Sequence, residues 1–144
     1  MAEIVLDAKI LVAWLDQGDS QHLRAAQLLQ ALEHEVHEPV LLDVLLSEAI
    51  SVLCRRARER RNPPDLGSVL GVARNWVGDD AVRSVAADAE NLFEVVLGVI
   101  EETACRLNFN DGLLVALQRR GDIDALATLD RGFESVADFR VFNF

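Results

Sequence analysis

The chain has 144 residues and a formal net charge of −10, from 24 acidic against 14 basic side chains. That length suits one domain over residues 1–144, large enough to bury its own core without a disulfide framework or a structural metal. Apolar residues at 51% and charged residues at 26% exclude a disordered chain, and the acidic excess argues against a general nucleic-acid binder while leaving a local site open.

Residues 3–7 form a short apolar run ending in Asp7 and read as a buried strand. A short helix follows over 10–17, with Leu11, Trp14 and Leu15 on one side. Gly18-Asp19-Ser20 breaks it, and Ser20 is the expected N-cap of a helix over about 20–35. Pro39 restarts the chain in extended form, giving a second strand at Val40-Leu41-Leu42. Residues 44–61 are helical in pattern and end in arginines, which suit the negative end of a helix dipole. Asn62-Pro63-Pro64 stops that helix, and another runs over 65–77. A third strand is expected at 82–86, a helix capped by Asp88 over 88–106, and a helix capped by Asn110 over 110–120, closed by Gly121. Residues 125–129 and 139–142 complete a set of about five strands. Strands alternating with helices predict an α/β fold with a parallel sheet covered on both faces.

Cys54 and Cys105 lie in separate segments without CxxC spacing, so both are expected as reduced, packed thiols of a cytoplasmic protein. No apolar run reaches the ~18 residues a membrane span requires, and no basic stretch precedes an apolar one at the N-terminus.

Four acids fall where chemistry is expected. Asp7 and Asp130 end predicted strands, Asp111 sits in a first helical turn, and Glu48 lies early in the helix after the second strand. In a parallel sheet these positions share the edge where ligands bind. Four carboxylates gathered there repel one another unless a cation sits among them, and oxygen-only ligands select Mg²⁺ or Mn²⁺ over Zn²⁺. His22, His34 and His37 lie in or near the second helix, away from these acids. Each acid also has a local reading: Asp7 as a helix cap, Asp111 as a dipole partner, Asp130 as a turn residue in Asp-Arg-Gly, and Glu48 as an exposed charge.

Four segments carry a resemblance. They are Ile4-Val5-Leu6-Asp7, Leu45-Leu46-Ser47-Glu48 with Ser51-Val52-Leu53, Asn108-Phe109-Asn110-Asp111-Gly112-Leu113-Leu114-Val115-Ala116, and Leu126-Ala127-Thr128-Leu129-Asp130-Arg131-Gly132-Phe133. In this order the chain resembles the PIN domain family, as in the VapC-type toxins of toxin–antitoxin pairs. The resemblance implies a three-layer α/β/α sandwich and a metal-dependent endoribonuclease acting on RNA. It implies that Asp7, Glu48, Asp111 and Asp130 are the catalytic acids, with Asp7 and Asp111 as direct ligands of Mg²⁺ or Mn²⁺ and Glu48 and Asp130 binding directly or through water. It further implies a homodimer and a cognate antitoxin. Thr128 matches a position often hydroxylated beside the last acid, and Arg131 is a candidate for an RNA phosphate. The arginines at 55, 56, 58, 60 and 61 read mostly as a solvated helix end, with contact to RNA or an acidic partner as the other reading.

Of the 14 basic residues only Lys9 is a lysine, and it stands two residues after Asp7, where the family usually has a small polar residue. Were the strand to continue, Asp7 and Lys9 would share a face. Lys9 then has three fates: to sit among the carboxylates in place of a metal, to reach an RNA phosphate, or to swing outward on its stem. The first would make the chain a catalytically weak, binding or regulatory protein. A response-regulator-like α/β protein is disfavoured, since it needs a lysine at the end of a late strand and Lys9 is the only one.

Overall fold

A computed structural model describes all of residues 1–144. In chain order the elements are β1 (Glu3–Leu6), α1 (Ala8–Leu15), α2 (His22–His34), β2 (Glu38–Leu42), α3 (Asp43–Glu59), α4 (Leu66–Gly78), β3 (Val82–Arg83), α5 (Ala86–Asn91), α6 (Phe93–Glu102), α7 (Phe109–Arg120) and β4 (Ala125–Ala127), followed by a 3-10 turn at Arg131–Ser135. The strands form one parallel sheet in the order β3-β2-β1-β4. Helices cover both faces, as a three-layer α/β/α fold requires: β1 carries Ile4, Val5 and Leu6, all buried, with no exposed side to alternate.

The chain builds outward from β1 through β2 to β3, then returns to place β4 on the other side of β1. The strand order therefore reverses between β1 and β4, and the crevice at their carboxyl ends is where such sheets bind ligands. Register fixes that crevice: Val5 pairs with Val40 on one side and Leu126 on the other, and the Asp7 amide donates to the Ala127 carbonyl at 3.0 Å.

Pro39 is tolerated inside β2 for a simple reason. The Glu38 amide donates toward β1, to the Ala2 carbonyl, so the position of the missing Pro39 donor faces the other side. There β3 pairs only with Leu41 and Leu42, and no partner is deprived.

Several boundaries depart from expectation. The expected fifth strand at 139–142 is reduced to an isolated parallel bridge between Val141 and Leu126, so the sheet has four strands. The 82–86 strand shortens to two residues, because Asp43 Oδ1 accepts the Val85 amide at 3.1 Å and pulls the chain out of the ladder. The helix expected over 88–106 is two helices broken at Leu92, and Asp88 lies inside the first of them, paired with Arg120. Gln21, not Ser20, occupies the α2 N-cap position, and its amide donates to Asp19. Cys54 is half-buried and Cys105 is exposed, both free, so only the first fits the packed-thiol expectation.

The arginine-rich end of α3 is also not uniformly solvated. Arg56 Nη1 reaches Asp16 at 2.9 Å and Asp19 at 2.7 Å, and Arg60 reaches Asp16 at 3.0 Å. The Asp16 side chain is only 4% exposed, so these guanidiniums hold a buried charge and clamp the α1–α2 turn onto α3. Arg56→Met is expected to cost about 2–4 kcal/mol, read as a lowered denaturant midpoint, because Asp16 stays buried with one partner fewer. A loss near zero would mean that Arg60 alone neutralises it.

Nearby, Trp14 stacks on Trp76 with ring centroids 5.6 Å apart, tying α1 to α4. On the far side α6 packs closely on α7. A Cβ on Gly112 would stand 3.1 Å from Val96 Cγ1, so that approach depends on glycine. Phe133 lies in the core cluster at 2% exposure, stacked on Phe139 at 4.8 Å.

Candidate active site

The acids reach one edge through local capping chemistry. β1 ends at Leu6 and the backbone turns at once into α1, with Asp7 as its N-cap. Asp7 Oδ1 accepts the Ala8 amide at 2.8 Å, which fixes the side chain at the helix start. Asp111 occupies the third position of α7 in a reciprocal capping box: its amide donates to Asn108 Oδ1, and its Oδ2 accepts the Asn108 amide at 3.2 Å. Asp130 lies beyond the end of β4, not on the strand, and heads the 3-10 turn by accepting the Gly132 amide on Oδ1 at 2.8 Å. A Cβ on Gly132 would sit 3.1 Å from that same oxygen and 3.4 Å from the Arg106 carbonyl, so a larger residue would crowd the Asp130 carboxylate. Glu48 projects from α3. The local roles read from sequence for Asp7, Asp111 and Asp130 are therefore all realised, and they aim the carboxylates.

Two neutral side chains join these acids. Thr128 Oγ1 donates to Asp7 Oδ2 at 2.5 Å and accepts the Asp130 amide at 2.9 Å, linking the ends of β1 and β4 through one hydroxyl. Asn110 Nδ2 donates to Glu48 Oε2 at 3.3 Å. Asn110 was expected as the α7 cap, a role that Asn108 takes instead. Its part in holding Glu48 left no trace in sequence, since the two residues are 62 apart.

The electrostatics show that the carboxylates feel one another. Burial, foremost, pushes the Asp7 carboxyl above its ordinary range, and Glu48 and Asp130 add repulsion against the Thr128 and Ala8 hydrogen bonds. Asp111 rises to about 6, mainly by burial, with repulsion from Asp7, Asp130 and Glu48. Each of these acids costs free energy to ionise where it stands. For Asp111 that penalty is absent below the ordinary value of 3.8, grows as pH rises, and is complete above about 6. Asp111→Asn keeps the capping geometry and removes the charge. In chelator at pH 7.5 it is expected to be about 1–2 kcal/mol more stable than wild type, after allowance for solvent screening, with no advantage at pH 3.5. An advantage independent of pH would refute the ionisation penalty.

The other predicted residues lie outside this cluster. Lys9 is in the first turn of α1, because the strand does not continue past Asp7. It stands on the rim, 3.6 Å from Asp130 Oδ2, with its side chain 65% exposed. Arg131 is largely exposed and pairs with Glu134 at 3.2 Å. A fifth acid at the sheet edge, Asp43, accepts the Val44 and Val85 amides on Oδ1.

Four acids at the carboxyl end of a parallel sheet, on the ends of β1 and β4 and the starts of α3 and α7, follow the pattern of the resemblance noted above. A family profile for the PIN domain matches residues 4–139. The chain belongs to the PIN domain family. The chain is also similar in structure to Mycobacterium tuberculosis VapC20, described as a sarcin–ricin loop cleaving toxin. It superposes with a TM-score of 0.66 over 94% of this chain and 95% of that one, at 21% identity. No curated protein sequence matches this PIN chain.

The donor set suits a hard cation in type, being all carboxylate oxygen. No three His, Cys, Asp or Glu side chains stand as a ready cage for an ion. A hydrated Mg²⁺ asks for less, since it keeps several waters and takes one or two carboxylates directly. Asp111 Oδ1 and Glu48 Oε1 accept no hydrogen bond from the protein, and each Asp7 oxygen, bonded once, keeps a second acceptor site.

Proposed function

We propose that this PIN domain is an endoribonuclease dependent on Mg²⁺ or Mn²⁺, the toxin of a toxin–antitoxin pair, with Asp7, Glu48, Asp111 and Asp130 as its catalytic acids. The observation that carries this reading is a set of carboxylates gathered at one sheet edge, two of them lifted above the ordinary carboxylate range by burial first and by their acidic neighbours second. A protein gains nothing in stability from such a cluster, and a divalent cation relieves it. The toxin part rests on family membership and on the likeness to a sarcin–ricin loop cleaving toxin.

Asp7 and Asp111 would hold the ion directly, and Glu48 and Asp130 directly or through its waters. When bound, the ion supplies a water of lowered pKa and offsets the charge that gathers on the phosphate. The chain's own part is positioning. Thr128 fixes the Asp7 carboxylate against rotation, and Asn110 holds Glu48 toward the crevice. No His, Cys or Ser nucleophile is required. An RNA substrate, a homodimer, a cognate antitoxin and a cytoplasmic setting belong to the same proposal. No helix is long and apolar enough to cross a membrane.

The test is cleavage of a structured RNA with Mg²⁺ or Mn²⁺ against excess chelator. Cleavage is expected with the ion and at background without it; equal cleavage in chelator would sink the metal-dependent reading. A second reading, a catalytically weak PIN domain that binds or regulates, is favoured by one observation, the cation that Lys9 brings to Asp130. Binding of RNA without cleavage under any metal condition would select it.

A further inference from the structure

Asp130 divides its two oxygens between two roles. Oδ1 is committed to the Gly132 amide, so Oδ2 is the oxygen left for an external ligand. That oxygen faces the Lys9 ammonium. No other basic side chain forms an ion pair with any of the four acids: Arg131 meets Glu134, Arg119 meets Asp138, and Arg56 and Arg60 meet Asp16. The position of Lys9 is set by buried neighbours on both sides, Asp7 and Ala8 before it and Ile10 and Leu11 after it. Its stem is free, the pair is loose at 3.6 Å, and the two side chains are 65% and 34% exposed. Such a surface pair is weak and readily exchanged.

We propose that Lys9 is the resident counter-cation of Asp130, and that a divalent ion entering the crevice must displace it from Oδ2. Lys9 thereby sets the ion concentration at which the site fills. This inference rests on the metal-site reading above. It differs from a lysine that replaces the ion: Lys9 holds one corner on the rim, while Asp7, Glu48 and Asp111 keep no basic partner.

The test is a calorimetric titration of the full chain with Mn²⁺, using wild type, Lys9→Met, Lys9→Arg, Asp130→Asn and the Lys9→Met/Asp130→Asn double variant. Lys9→Met is expected to bind Mn²⁺ about three- to tenfold tighter than wild type, since a unit charge near the ion is removed. Lys9→Arg should stay within about twofold of wild type. In the Asp130→Asn background the Lys9→Met gain should shrink to less than about twofold, because the competition is for that carboxylate. Unchanged or weaker binding by Lys9→Met, or the same gain without Asp130, would overturn the proposal while leaving the metal site intact. Absence of Mn²⁺ binding in both wild type and Lys9→Met would overturn the metal site and this proposal together.

Discussion

Asp7→Asn is expected to lower RNA cleavage by about a thousandfold or more without unfolding the protein. The size follows from losing a direct ligand of an ion that supplies several kcal/mol of charge stabilisation to the transition state. The fold should survive because asparagine caps helices as well as aspartate does, and its Oδ1 can still accept the Ala8 amide that Asp7 now accepts. Melting temperature in chelator at pH 7 should stay near wild type, because the lost Thr128 hydrogen bond is offset by removal of an unfavourable buried charge. Asp7 is 5% exposed, and burial with repulsion from Glu48 and Asp130 makes its charge unfavourable. Single-turnover cleavage and a thermal melt separate the two effects. Cleavage at the wild-type rate would remove Asp7 from the catalytic set. A collapse in stability would mean that its role is structural.

Phe133→Ala carries the largest expected loss of stability, about 3–5 kcal/mol, which is a large share of what a domain of this size possesses. Phe133 is 2% exposed and stacks on Phe139 in the turn that starts at Asp130. Removing the ring leaves a cavity under the Asp-Arg-Gly turn, so the substitution is expected to loosen Asp130 as well as the core. Denaturant unfolding checks the first effect. The second is checked at a temperature where the variant is still folded, as weaker Mn²⁺ binding than in wild type. Phe133→Leu fills part of the space and should cost less on both counts. A variant that melts early yet binds Mn²⁺ normally would show that the turn holds itself through the Gly132 amide alone.

Both expectations depend on features with different visibility. Asp7 was legible because a continuous apolar run ending in an acid is a local pattern, and the capping reading and the site reading specify the same position. The same is true of Asp111 in a first helical turn and Asp130 before Arg131-Gly132. Phe133 was legible only as part of a motif, since nothing local says that its ring meets Phe139.

Where the sequence holds two residues of one kind close together, tertiary contacts decide which takes the role. Asn108 and Asn110 are both good helix caps; the choice falls to Asn108 because Asp111 closes the box with it, and Asn110 is drawn to Glu48 from α3. Arg56 and Arg58 look alike along the helix, yet only Arg56 meets the buried Asp16 and Asp19, about 40 residues away. Lys9 turned on one backbone event. A strand continuing past Asp7 would have placed it beside the carboxylate, whereas a helix starting at Ala8 carries it to the rim.

The acidic sequence with its single lysine thus determined the class of fold and the local turns that place Asp7, Asp111 and Asp130, because these arise from hydrophobic runs and capping groups a few residues apart. Only the tertiary structure decided that Thr128 bridges Asp7 and Asp130, that Asn110 holds Glu48, that the fifth strand shrinks to one bridge, and that the lone lysine meets Asp130. Those contacts join residues far apart in the chain. They exist because β1 and β4 become neighbours at the point where the strand order reverses.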